Sequence, residues 1–198
     1  MGNLRSVENA FKSMGYEAII TRDSARILNS SGLVLPGVGA FRDCMKNLNT
    51  YGLKEPLYKF IESKKPFLGI CLGFQVLFEE SEEFGLCKGL GILKGRVVRF
   101  PEDKLKIPHI GWNTIKIKKE CPFLEGIKDS SYFYFVHSYY VISEKKEIIA
   151  TTTDYGIEFA SSIWKDNIFA CQFHPEKSQR LGLKILKKFA ETCEKNVG

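Results

Sequence analysis

The chain has 198 residues, 44% of them hydrophobic, enough to bury one core and cramped for two, so a single domain over 1–198 is expected. Its formal charge of +6 rests on lysines dispersed at spacings that leave one face in water, which argues against a nucleic-acid partner. Apolar runs are broken well short of a membrane span, the N-terminus lacks a signal core, and the six cysteines form no Cys-x-x-Cys pair or Cys/His cluster. A cytoplasmic protein without membrane partner, cofactor, metal or disulfide framework is expected.

Behind Asn3, a good N-cap, Leu4, Val7, Phe11 and Met14 recur at helical spacing, and Gly15 stops that helix. Residues 17–21 read as a short strand. Residues 32–39 read as a buried strand running into a glycine-rich loop, Pro36-Gly37-Val38-Gly39, and a helix with Phe41, Met45 and Leu48 follows. A further helix, 55–64, turns Leu57, Phe60 and Ile61 toward a core before Pro66 resets the chain for the apolar run Phe67-Leu68-Gly69-Ile70. A helix over 72–80 comes next. This alternation predicts an α/β fold, a mostly parallel sheet with helices on both faces.

From about Gly89 the texture changes to hairpin-like strands at 91–100, 111–118, 132–142, 148–152, 158–164 and 168–173, antiparallel additions to the C-terminal half. A last helix over 179–194 places Leu181, Ile185, Leu186 and Phe189 on one face. Chains of this alternating class normally open with a strand, whereas this one starts almost directly with its helix. An absent strand would leave unpaired backbone groups and an apolar groove beside the sheet. A neighbouring chain in that slot, a smaller sheet and a longer native product are the three alternatives.

The pentapeptide Gly69-Ile70-Cys71-Leu72-Gly73 sits where the apolar run meets the next helix, the setting of a nucleophile elbow. The free N–H groups of that helix lie behind the thiol and favour negative charge. Downstream, Phe169-Ala170-Cys171-Gln172-Phe173 reads as a buried strand that delivers His174-Pro175-Glu176 at its end. A free cysteine is otherwise a small buried hydrophobe, but a base and an orienting carboxylate at a strand end favour catalysis. The proline keeps the segment extended, with His174 and Glu176 on one side. Such a set suits acyl transfer from an amide, with the loop at 36–39 offering an oxyanion donor beside the Leu72 N–H. His109 and His137 are rivals for the base without a nearby carboxylate, and read as structural or substrate-lining.

Gly69-Ile70-Cys71-Leu72-Gly73-Phe74-Gln75 together with Phe173-His174-Pro175-Glu176 resembles the class I (triad) glutamine amidotransferases. Pro36-Gly37-Val38-Gly39-Ala40-Phe41, His109-Ile110-Gly111-Trp112-Asn113, Phe135-Val136-His137-Ser138-Tyr139 and Pro175-Glu176-Lys177-Ser178 further resemble the glutaminase subunits of imidazole glycerol phosphate synthase, over essentially the whole chain. The resemblance implies the flavodoxin-like fold of that class, with Cys71 as nucleophile, His174 as base and acid, and Glu176 as its orienter. It implies oxyanion N–H groups at Val38 and Leu72, and a glutamine site with Gly37, Gly39, Gln75, Ser138 and Tyr139. It also implies a heterodimer with a (β/α)8-barrel cyclase that uses the ammonia in histidine biosynthesis. Trp112, Asn113, Tyr134 and Lys177 are candidates for the docking face, as aromatic and long basic residues near a catalytic strand end. The alternatives are a paralogous glutaminase feeding another acceptor synthase, as in amino-sugar formation, and a related cysteine hydrolase. Two departures stand out: the family's opening strand is absent before Met1, and Leu93-Lys94-Gly95 replaces a loop that more often carries proline.

Overall fold

The structure, a computed structural model, describes residues 4–101 and 106–195. Helix α1 (Leu4–Ser13) buries Val7, Ala10 and Phe11. Helix α2 (Ser24–Asn29), not anticipated from sequence, is capped by Asp23, whose carboxylate accepts the Arg26 N–H at 2.8 Å. Then follow β1 (Leu33–Gly37), α3 (Phe41–Thr50), α4 (Lys54–Glu62), β2 (Phe67–Cys71) and the four-residue α5 (Leu72–Gln75). Two short strands, β3 (Glu80–Ser81) and β4 (Cys87–Lys88), lead to β5 (Gly95–Arg99), β6 (His109–Thr114) and β7 (Lys116–Ile117). The C-terminal half adds β8 (Tyr132–His137), β9 (Tyr139–Ser143), β10 (Ile149–Asp154), β11 (Glu158–Lys165), β12 (Ile168–Cys171) and α6 (Gln179–Lys195).

The fold is α/β, built on a mixed sheet in the order β1-β2-β12-β11-β9-β5-β3-β4, with β10 beside β11 and β7 beside β10. Parallel pairing is confined to β1-β2-β12 and the short β3-β5 ladder, and the remaining ladders are antiparallel. Every residue of β2 is buried. Successive side chains of a strand point to opposite faces, so Leu68, Ile70, Phe169 and Cys171 join α1 and α6 in one core. Phe67, Ile168 and Ala170 join α3 and α4 in the other. Helices thus cover both faces of the parallel part.

Several sequence expectations need correction. No strand forms at 17–21, and Ile19 and Ile20 stay exposed; β1 pairs only with β2, so no ladder among the described residues is there to hold that segment. The strand expected over 91–100 begins at Gly95. The single strand expected over 132–142 is two strands broken at Ser138, β8 pairing with β6 in a separate two-stranded sheet and β9 with β5 and β11 in the main one. The segment 111–118 is likewise divided between β6 and β7. The helix expected over 72–80 ends at Gln75 because the carbonyls of Val76, Leu77 and Phe78 accept the N–H groups of Leu90, Ile92, Leu93 and Gly91 rather than those of a next helical turn.

Candidate active site

Cys71 ends β2 with φ +53° and ψ −108°, a backbone conformation that an L-residue holds only under strain. The strain therefore sits on the cysteine, and the flanking glycines are needed for room. A Cβ on Gly73 would lie 1.7 Å from the Leu35 carbonyl oxygen, and one on Gly69 would lie 2.9 Å from the Gly73 oxygen. Gly73→Ala should cost about 3 kcal/mol or more by forcing β1 and α5 apart, read as a lower urea midpoint.

His174 is anchored by its backbone N–H, which donates to the Tyr134 carbonyl at 2.9 Å, and by its own carbonyl, which accepts from Ser178 Oγ at 2.7 Å. Its Nδ1 meets Glu176 Oε1 at 2.8 Å, and neither side chain is exposed to solvent. The pair is formed on a 3-10 turn, Pro175–Lys177, rather than the extended segment expected from the proline; Lys177 N–H donates to the His174 carbonyl at 3.0 Å. Burial pulls the imidazole's pKa down, but the neighbouring Cys71 and the hydrogen-bonded Glu176 outweigh it and raise the value to about 9. His174 thus faces Cys71 on one side and Glu176 on the other.

The other expected site residues divide into three groups. Gly37 pairs with Cys71 in the β1-β2 register, which sets the 36–39 loop beside the elbow; Val38 is exposed there and Gly39 has φ +99°. Leu72 begins α5 directly after the sulfur. Gln75 is buried, its Nε2 donating to the Tyr139 carbonyl and to Gln172 Oε1, both at 2.9 Å, so Tyr139 enters through its backbone. Ser138 is the junction between β8 and β9, and its carbonyl accepts the Phe100 N–H at 3.1 Å. Trp112 and Tyr134 are register partners with ring centroids 6.1 Å apart, and the Lys177 ammonium lies 5.8 Å from the Tyr134 ring. Asn113 stands apart from that patch, its amide bonding His109 Nε2 and the Asp154 carbonyl.

Two residues escaped sequence reasoning. Gln172 is fully buried, and its Nε2 lies 3.6 Å from Cys71 Sγ. The signal was an amide inside the apolar run 169–173. Ser178 Oγ also accepts the Tyr134 N–H at 3.0 Å and so ties the histidine turn to β8; the sequence marked it only as the end of the Pro175-Glu176-Lys177-Ser178 motif, with no role of its own.

The chain belongs to the class-I glutamine amidotransferase family, whose model matches residues 1–193. Among individual relatives it is 53% identical over 197 residues to a protein of Syntrophotalea carbinolica named imidazole glycerol phosphate synthase subunit HisH, with 96% of each chain covered. A protein of the same name from Methanocaldococcus jannaschii is 54% identical over 190 residues, covering 96% of this chain and 94% of its own length. The fold is shared with a glutamine amidotransferase crystal structure at a TM-score of 0.75 and 20% identity, covering 98% of this chain and 95% of the other. It is also shared with the acivicin-bound glutaminase domain of Trypanosoma brucei CTPS, at 0.65 and 18% identity over 96% and 89% of the two chains.

Proposed function

We propose that this chain is the glutaminase subunit of an imidazole glycerol phosphate synthase, which hydrolyses L-glutamine and passes ammonia to a (β/α)8-barrel cyclase subunit in histidine biosynthesis. The observation that carries the reading is the solvent-shielded His174–Glu176 pair, 2.8 Å apart, whose imidazole pKa is held up by the neighbouring, strained Cys71 as well as by Glu176. The chemistry then needs no cofactor.

Glu176 accepts the Nδ1 proton, which leaves His174 Nε2 as the atom that exchanges protons with sulfur, substrate and water. His174 Nε2 takes the thiol proton as the Cys71 sulfur attacks the side-chain carboxamide carbon of glutamine, and the carbonyl π pair moves onto oxygen. The N–H groups of Val38 and Leu72 are assigned to that oxyanion. Collapse expels nitrogen as ammonia, because His174 protonates it, and leaves a thioester on Cys71. Water, giving its proton to His174, attacks the thioester and releases glutamate; the sulfur leaves and the proton returns to it. Gly37 and Gly39 let the loop backbone approach the substrate, and Gln75, Ser138 and Tyr139 are assigned to the same pocket.

For the partner, the support is the outer face of the β6-β8 sheet. Ile110 and Tyr132 are 59% exposed and Trp112 46%, so an apolar, partly aromatic surface faces water with the Lys177 cation at its edge. It adjoins the site, since the Tyr134 carbonyl holds the His174 N–H. The test is glutamate release by the chain alone and with the barrel subunit and its nucleotide substrate. Marked stimulation is expected; no response to any histidine-pathway component would overturn the assignment of partner. Trp112→Ala should weaken association about 30-fold, the effect of a central aromatic anchor worth ~2 kcal/mol, measured by titration calorimetry.

A further inference from the structure

We propose that Gln172 is a further catalytic residue, an amide donor to the Cys71 sulfur, and that the buried pair His109–His137 aims it through the Tyr139 carbonyl and Gln75. The polarity of this hydrogen-bonded series is fixed by one atom. The Tyr139 carbonyl can only accept, so the Gln75 atom 2.9 Å from it must be the NH2 group. That same NH2 group meets Gln172 at 2.9 Å, so the Gln172 atom there must be the oxygen. The other end of the Gln172 amide, 3.6 Å from Cys71 Sγ, is therefore an N–H donor. Neither amide can flip without setting like groups against each other. The donor holds the sulfur's lone pair, and with it the side-chain rotamer from which attack must start.

The same carbonyl fixes the other arm. His137 Nδ1 lies 2.9 Å from it and must carry a proton, so His137 Nε2 accepts. His109 Nδ1, 3.0 Å away, donates to it, which leaves His109 Nε2 to accept from the Asn113 amide at 3.2 Å. Asn113 cannot turn over either, because its NH2 also donates to the Asp154 carbonyl at 2.9 Å while its oxygen accepts the Thr114 N–H at 2.7 Å. Both imidazoles are thereby held neutral in a single tautomer. Burial pushes His109 down to about 4 and His137 to about 3, in the same sense. The two arms meet on the Tyr139 carbonyl, just past the Ser138 break, so the position of that carbonyl is set from β6 and is passed to the sulfur by two glutamines. His109 and His137 are positioning residues in this scheme; of the residues in this series, Gln172 is the one that reaches the sulfur.

The inference rests on the glutaminase reading for its kinetic readout but not for its chemical one. The chemical readout is the rate at which iodoacetamide alkylates Cys71 in the full chain, followed by peptide mass spectrometry. Gln172→Met, similar in shape without the donor, should slow alkylation of Cys71 and lower kcat for glutamine hydrolysis by about 10- to 100-fold, with KM within about threefold of the parent. His137→Leu should give the same kind of defect, and His137→Asn, which keeps a donor to the Tyr139 carbonyl, should recover most of it. The double variant Gln172→Met/His137→Leu should be no worse than Gln172→Met alone, since both act through one contact. Should Gln172→Met fail to fold, Gln172→Asn, too short to reach the sulfur, supplies the same measurements. Parent-like alkylation and kcat without the Gln172 donor would overturn the role of Gln172. Equal defects in the two His137 variants, or fully additive effects, would overturn the aiming by the histidines. If the parent chain hydrolyses no glutamine but Cys71 alkylation still depends on Gln172, the functional reading fails and this one stands.

Discussion

Cys71→Gly is expected to abolish glutamate release, by roughly 10⁴-fold or more, and to leave a protein more stable than Cys71→Ala. Loss of activity needs only the missing sulfur. The order of stabilities is the sharper expectation, because at an ordinary position glycine is the worse choice, giving up a buried methyl worth ~0.8 kcal/mol and a further 0.5–1 kcal/mol of chain entropy. Cys71 holds φ +53° and ψ −108°, outside the regions open to residues with a Cβ. Strain of this kind costs on the order of 1–3 kcal/mol, and only glycine relieves it. Here the upper part of that range applies, since the conformation lies well away from the left-handed helical well, and the balance favours glycine by about 1 kcal/mol. In a chain of this size that is a melting-temperature difference of about 2–4 °C. Differential scanning calorimetry of the two variants, with glutamate release measured on the same samples, decides it. If the alanine variant melts higher, the elbow stores no strain and the backbone account of the nucleophile is wrong.

The parts of the site that were legible in the sequence are those built by local chain geometry. A cysteine between near glycines at a strand end, and a His-x-Glu at the end of another strand, announce themselves within a few residues. The neighbouring strands then bring them together, since β12 lies directly beside β2 in register. What the sequence hid was decided by tertiary hydrogen bonds. Nothing punctuates 132–142, whose alternation runs unbroken, yet the chain changes sheets at Ser138 because β6 claims one half and β5 the other. The run Leu72–Phe78 is buried throughout and so carries no periodic signal for where a helix stops; competing N–H groups from 90–93 set the end. Gln172 reads as an interruption of an apolar strand until Gln75 is seen to hold it. Asn113, grouped by adjacency with Trp112, follows the period of two in a strand and bonds His109 instead. The inner face of β6 thus serves the core while Ile110 and Trp112 on the outer face stay exposed.

The stability of the folded chain should peak near pH 6.5 and fall on both sides, for reasons that lie in its three histidines. Burial pushes His109 down to about 4 and His137 to about 3, the latter also through the neighbouring imidazoles and against its bond to the Tyr139 carbonyl. Their unfolded values stand near 6.5, so between that pH and about 4 the unfolded chain binds two protons that the folded chain refuses. Stability present above pH 6.5 is then lost on acidification with a slope near 2.7 kcal/mol per pH unit, about 1.4 for each imidazole. His174 has the opposite sign. Desolvation notwithstanding, Cys71 and Glu176 raise it to about 9, so its contribution is complete below pH 6.5 and is lost as the pH rises through 9, with a slope near 1.4 kcal/mol per unit. Between about pH 5 and 6 His174 is protonated in both states and the paired carboxylates are ionised in both, so the slope there belongs to the buried pair; below about pH 5 the carboxylates of Glu55, Glu79, Glu125, Asp129 and Glu158, all held below their usual values, add to it in the same sense. Urea denaturation at half-unit steps from pH 4.5 to 9 measures both limbs. His137→Asn removes one titrating imidazole and should bring the acid slope close to 1.4 kcal/mol per unit while leaving the alkaline limb unchanged. A flat profile between pH 5 and 6.5 in the parent chain would mean that water reaches the pair and that the two rings accept protons in the folded state. That result would remove the single tautomer on which the hydrogen-bonded connection to Gln172 depends.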